Sequence, residues 1–268
     1  GLAQATGSED MTVVARSLAL LFVLIALHAE AQRTKPRYAP ELQRKLAAIQ
    51  KDLDHYDQLD VLDQDAISEV QSRILDHCFQ LLNDPRSAAL DARDLDRGAL
   101  QCVASDDDRL WLLSLDLKTG GTFRERSAFA QIRQQDGNFG VVSMNNSGEE
   151  GYGHCDHSIA YFSSLITLDD STYFTVASTI GCSTCIELCA TTLRIRPEGI
   201  YAQVFFSYSG RMGLVPIFDL DPTSNTFSFA YEELEGDPLY PMEGLPKHSG
   251  SFRYEAGSFQ LMEHCETR

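Results

Sequence analysis

The sequence predicts a mainly β protein: an antiparallel β meander of about twelve strands, folded as a sandwich or open barrel, behind an N-terminal αα-hairpin. Three observations predict it. Two apolar stripes recur at helical spacing between residues 42 and 81. Six polar turn clusters succeed them from residue 106 onward, each running into an aromatic or β-branched stretch. The composition, 43% hydrophobic and 23% charged over 268 residues, excludes collagen-like, low-complexity and multi-span membrane classes.

Residues 1–31 read as a leader. Met11 opens a segment with a basic Arg16, an apolar run from Leu18 to Leu27, and an Ala29-Glu30-Ala31 cleavage signal. That is a signal peptide over Met11–Ala31, with a mature start at Gln32. The run is too short for a comfortable bilayer span, and none of spanning length comes after it. The expected address is therefore secreted or periplasmic, with no stable membrane insertion after cleavage. Residues 1–10, which carry no apolar pattern, read as upstream translation.

Residues 32–39, with Arg33, Lys35 and Arg37, form a flexible lead-in. Residues 40–97 form the helical hairpin. Leu42, Leu46, Ile49, Leu53 and Tyr56 mark one apolar face, and Pro40 suits a first helical turn. Ile67, Val70, Ile74, Cys78 and Leu81 mark the second, with Asp63 or Asp65 to cap it and Pro85 to stop it. Both stripes need a surface to cover, most simply one face of the adjoining sheet.

Residues 98–268 form the β domain. Its turns centre on Asp106-Asp107-Asp108, Asp136-Gly137-Asn138, Asp169-Asp170-Ser171, Pro197-Glu198-Gly199, Pro222 to Asn225 and Glu255-Ala256-Gly257. Each reads as a hairpin, a polar turn leading into a strand. Successive turns are 26 to 33 residues apart, too close for four-stranded propeller blades of ~40 residues.

The net charge of −17 argues against nucleic acid, whose phosphates need a basic face, and against an anionic membrane surface. The seven cysteines take their meaning from the address. In an oxidising compartment they are most simply disulfides, and an odd count leaves at least one outside a pair. Cys182-Ser183-Thr184-Cys185-Ile186-Glu187-Leu188-Cys189 is the sharpest local feature. It admits a disulfide-stapled hairpin loop, with Cys182 and Cys189 as candidates, or a redox C-x-x-C. It also admits a zinc site completed by His154, Cys155 and His157, since thiolates and imidazoles at such spacing suit a tetrahedral ion. A second staple joins Cys78 to Cys102 and ties helix to sheet. Asp106-Asp107-Asp108 is a solvated turn, or else a Ca²⁺ site lacking the glycine and terminal glutamate of an EF-hand loop. Trp111 reads as core.

The string from Leu110 to Thr122, with Trp111, Ser114, Asp116 and Thr119-Gly120-Gly121-Thr122, resembles a family of β-rich secreted bacterial proteins of unknown function. The Ser105 to Arg109 turn and the Phe252 to Phe259 hairpin belong to the same resemblance. Leu115 departs from it, since the family carries a second aromatic there, and so does the cysteine cluster at 182–189. The resemblance implies a helical N-terminal region, a β-rich fold and an extracytoplasmic address, and no activity.

No nucleophile elbow and no paired-histidine metalloprotease helix is present. The function expected is therefore a non-catalytic binding or envelope-associated module. It would need no cofactor and would meet a protein or small ligand through loops 145–157 and 180–189. The alternative is a zinc enzyme or carrier built on Cys182, Cys185, Cys189, His154 and His157.

Overall fold

A computed structural model describes residues 37–118, 126–133, 139–144, 148–151, 156–180, 185–211, 216–232 and 247–267. The chain divides into two compact units, residues 1–43 and 44–268. In the first, the described residues 37–43 hold the opening turn of helix α1 (Pro40–Gln58), where Gln43 N–H donates to Ala39 O at 3.0 Å. The second holds the rest of that helix, a second helix and every strand.

Helix α1 continues with Leu46, Ile49, Leu53 and Tyr56 buried, and helix α2 (Gln64–Leu82) buries Ile67, Val70, Ile74, Cys78, Leu81 and Leu82. Asp63 caps α2 by accepting from Ala66 N–H at 3.2 Å, which satisfies one of the first-turn donors the helix cannot. Past Pro85 the chain makes two 3-10 turns, Pro85–Ala89 and Ala92–Asp94.

The strands form three sheets. The first holds β1 (Leu100–Ala104), β2 (Leu110–Asp116), β3 (Arg126–Arg133) and β4 (Phe139–Ser143) in chain order. The second holds β5 (Gly148–Gly151), β6 (Tyr161–Thr167), β7 (Thr172–Ile180), β8 (Cys185–Arg196) and β9 (Gly199–Arg211), in the order β5-β9-β8-β7-β6. The third holds β10 (Ile217–Asp221), β11 (Thr226–Glu232), β12 (Lys247–Glu255) and β13 (Ser258–Thr267) in chain order. Five of the six expected turns join neighbouring antiparallel strands; the sixth, Asp136-Gly137-Asn138, lies outside the described residues, between strands β3 and β4 that pair antiparallel. The meander is thus three meanders, with thirteen strands among the described residues. The additional one is β5, which pairs parallel to β9 from Gly148 to Gly151. Its two glycines and two glutamates carry no strand pattern.

The layers stack as helices, first sheet, second sheet, third sheet. Between the first two sheets lie Leu110, Leu112, Ala128, Ala130 and Ile132 from one side and Phe162, Tyr173, Ala177, Leu193 and Ala202 from the other. Between the second and third lie Phe174, Val176 and Ala190 against Leu220, Phe227, Phe229 and Phe259. The outer face of the first sheet meets the helices: Phe129 stacks on Phe79 with ring centroids 5.2 Å apart. This stacking explains the composition of the strands. β2 is buried on both faces and reads Leu-Trp-Leu-Leu-Ser-Leu, without alternation. β11 has one solvent face and alternates Thr-Phe-Ser-Phe-Ala-Tyr.

Candidate functional site

Where the second sheet packs on the third, the edges meet incompletely. β6 ends the second sheet and β10 ends the third. Between them a cleft of about 340 Å³ opens sideways. Its floor is Phe174 and Val176 of β7 with Leu188 of β8. One wall is Ser163, Ser164 and Ile166 of β6; the other is Pro216, Phe218, Asp219 and Leu220. Seven apolar residues line it beside two hydroxyls and one carboxylate, and the surface they expose is close to evenly polar and apolar.

The cleft owes its opening to a β-bulge. The β6–β7 register slips between Phe162 and Leu165, so Ser163 and Ser164 together stand opposite the single residue Val176, one residue more than the ladder needs. Phe162 and Leu165 are both buried yet three positions apart, which a period-two strand allows only if it inserts a residue. Ser163 Oγ donates to Val176 O at 3.3 Å, and Thr175 Oγ1 donates to Ser164 O at 2.6 Å. These bonds hold the bulge open and point its small side chains at the cleft.

The edge of β6 is capped on either side of the bulge. Gln101 of β1 donates to Phe162 O at 2.6 Å and accepts from Phe162 N–H at 3.2 Å. Asp106 accepts from Thr167 N–H at 3.0 Å and from its hydroxyl. Capping a sheet edge with side chains restrains uncontrolled strand pairing, and here it confines the exposed edge to the stretch beside the cleft.

Asp106, Asp107 and Asp108 have separate protein partners. Asp107 accepts from Ser105 Oγ at 2.6 Å, from Arg109 N–H and from the Tyr173 hydroxyl at 3.1 Å. Asp108 accepts from Trp111 Nε1 and Arg133 Nη1, each at 2.6 Å. The three carboxylates fan out to brace the sheets, and the turn is structural. Burial beside Asp107 pushes the Tyr173 hydroxyl far above its ordinary pKa.

Of the six metal candidates, three can be placed among the described residues. His154, Cys155 and Cys182 lie outside the described residues. His157 is fully buried in a 3-10 turn, with Nε2 3.0 Å from Thr191 Oγ1. Cys185 and Cys189 are disulfide-bonded, with partners outside the described residues. They cannot bond each other, since four residues along a strand span ~13 Å and a disulfide needs Cα atoms within about 7 Å. A disulfide sulfur is not a thiolate, so both leave the zinc donor set. Among the described residues no cluster of three metal-type donors occurs.

Cys78 and Cys102 stand as buried free thiols, so the staple between helix and sheet is not formed in this structure. Burial pushes the Cys78 thiol up to about 12 and the Cys102 thiol well above its ordinary value, with Asp96 adding to the latter. Both are therefore poor thiolates at neutral pH. Cys265 is free and exposed.

Of the loops expected to carry contacts, 145–157 contributes β5 and the His157 turn, and 180–189 contributes the start of β8. Both border the second sheet, and among their described residues Leu188 alone lines the cleft. Sequence reasoning passed over Ser163 and Ser164 as site residues. Their signal was the broken alternation from Phe162 to Leu165.

Neither the protein-family models nor the curated proteins include a match to this chain. Among the described residues no helix is long and apolar enough to cross a membrane.

Proposed function

We propose that this is a binding module that receives an extended peptide segment along β6, with one apolar side chain seated in the cleft. One observation carries the reading. The cleft lies between two sheet edges, and its wall on β6 is a bulged, hydroxyl-bearing stretch between two capped ones. Main-chain hydrogen bonds along a free edge supply affinity in such complexes, and a side-chain cavity supplies selectivity. Asp219 is the lone titratable residue of the lining among the described residues. General acid–base or nucleophilic chemistry calls for a second group beside it, so the lining favours binding. An extracytoplasmic address belongs to the same proposal and rests on the Met11–Ala31 segment.

Selection of random extended peptides against the purified protein is the test. The selected peptides should share one large apolar residue and lose binding to Ser163→Trp, which fills the cleft mouth. Peptides that bind Ser163→Trp as tightly as the parent protein would contradict the reading.

A further inference from the structure

The far end of the third sheet holds a histidine pair that the peptide cleft does not use. His248 of β12 and His264 of β13 face each other with Nδ1 of one 3.3 Å from Nε2 of the other. Their rings are 18° from parallel, with centroids 5.6 Å apart. We propose that these two imidazoles chelate a divalent late transition-metal ion of the zinc, copper or nickel kind.

The spacing is the first argument. Two metal–nitrogen bonds of about 2.0–2.1 Å meeting at a near-tetrahedral angle span about 3.3–3.4 Å between nitrogens. The pair already stands at that bite. Imidazole is the donor that zinc, copper and nickel share.

The frame is the second. Both residues lie in an antiparallel ladder: His264 pairs with Gly250 and His248 pairs with Glu266. Residues 264 and 266 alternate onto one face, so His248, His264 and Glu266 share it, and a carboxylate adds favourable charge beside the cation. Gly250 lets the Phe229 ring close over the ladder opposite His264, since a Cβ there would meet that ring at 2.7 Å and the Glu263 carbonyl oxygen.

The surroundings are the third. Tyr231 stacks on His248 with centroids 4.9 Å apart, and Phe229 lies 6.1 Å from His264. His248 is 8% exposed while His264 is open to solvent. One ligand is held by an aromatic wall and the other admits the ion. Among the described residues no third metal-type donor joins the pair.

Zinc chloride titrated calorimetrically into the full chain carrying Cys265→Ser, which removes the neighbouring exposed thiol, tests the proposal. One ion should bind per chain, and affinity should fall as pH is lowered, because imidazole ligates only when neutral. His264→Gln, at an exposed edge position, and His248→Gln should each weaken binding by about tenfold or more. Circular dichroism shows whether each variant stays folded. No saturable binding up to millimolar zinc, or binding that a folded His264→Gln keeps at parental affinity, would overturn the proposal.

Discussion

The outer face of the first sheet and the inner face of the third both pack against a neighbouring layer, but they are built from different chemistry. The first is a polar lattice around one large ring. Arg133 lies over Trp111 with its guanidinium carbon 3.8 Å from the ring centroid, and donates to Asp108, Gln131 Oε1 and Ser87 O. Gln131 donates to Leu82 O and Ser87 Oγ, fixing the end of α2. The third sheet presents rings instead. Phe227 has Phe174, Phe205, Phe206, Phe218, Phe229 and Phe252 within 6.5 Å. Hydrogen bonds fix direction, so the lattice leaves little freedom. The ring pairs here are variously stacked, tilted and edge-to-face, and none of them bridges the seam beside β6, where the second interface remains ajar. The difference teaches where to look for function: in the interface whose cohesion does not depend on closure.

The largest effect should come from the lattice. Trp111→Ala removes a fully buried ring and should cost about 3–5 kcal/mol, seen as a lower denaturant midpoint. A cost near that of a surface substitution would break the comparison at its root. Arg133→Met keeps the stem but loses the hydrogen bonds. Since the Asp108 side chain is 57% exposed and can return to water, the expected cost is smaller, about 1–2 kcal/mol.

Acid should separate the interfaces. Charge-assisted bonds from Arg86 and then Lys45 hold the Asp84 carboxyl well below the usual carboxylate range. Its folded pKa is depressed, so its contribution is present above the unfolded value near ~4 and is lost as pH falls toward the folded one. The ring-packed interface carries its depressed carboxylate at the rim, where Asp169 accepts from the Tyr254 hydroxyl at 2.6 Å, and is held mainly by rings. Lowering pH from neutrality through the carboxylate range should therefore change the fluorescence of Trp111, the single tryptophan, before the aromatic circular dichroism of the third sheet. The reverse order would assign the weaker interface wrongly.

Smaller still is the effect of the seam. Ser163→Trp, at an exposed bulge position, should change stability by no more than about 0.5 kcal/mol while abolishing peptide capture. Thiol labelling adds a last contrast. Near pH 8 Cys265 should react quickly, whereas Cys78 and Cys102 should wait for unfolding, because burial keeps both protonated.

How much of this the sequence disclosed depends on range. Turns and helix caps are local, so Asp63, Pro85 and the five hairpin turns among the described residues were legible. The division into three sheets was not. It depends on which face each strand buries, and β2 and β7, buried on both faces, give no alternation to read. β5 was invisible because a parallel edge strand needs only backbone. The cleft was half legible: the Phe162–Leu165 spacing marks a bulge, but its position opposite β10 comes from packing between distant segments. The cysteine cluster drew attention by its spacing, and spacing alone could not say that Cys185 and Cys189 are spent in disulfides.

Strand-resolved amide hydrogen exchange of the unliganded protein tests the central claim most directly. The closed lattice predicts the slowest exchange in β2 and β3, and the seam predicts early exchange in β6 between its two caps and in β10. Uniform protection across β2, β3, β6 and β10 would contradict the account, because the seam would then be as closed as the lattice.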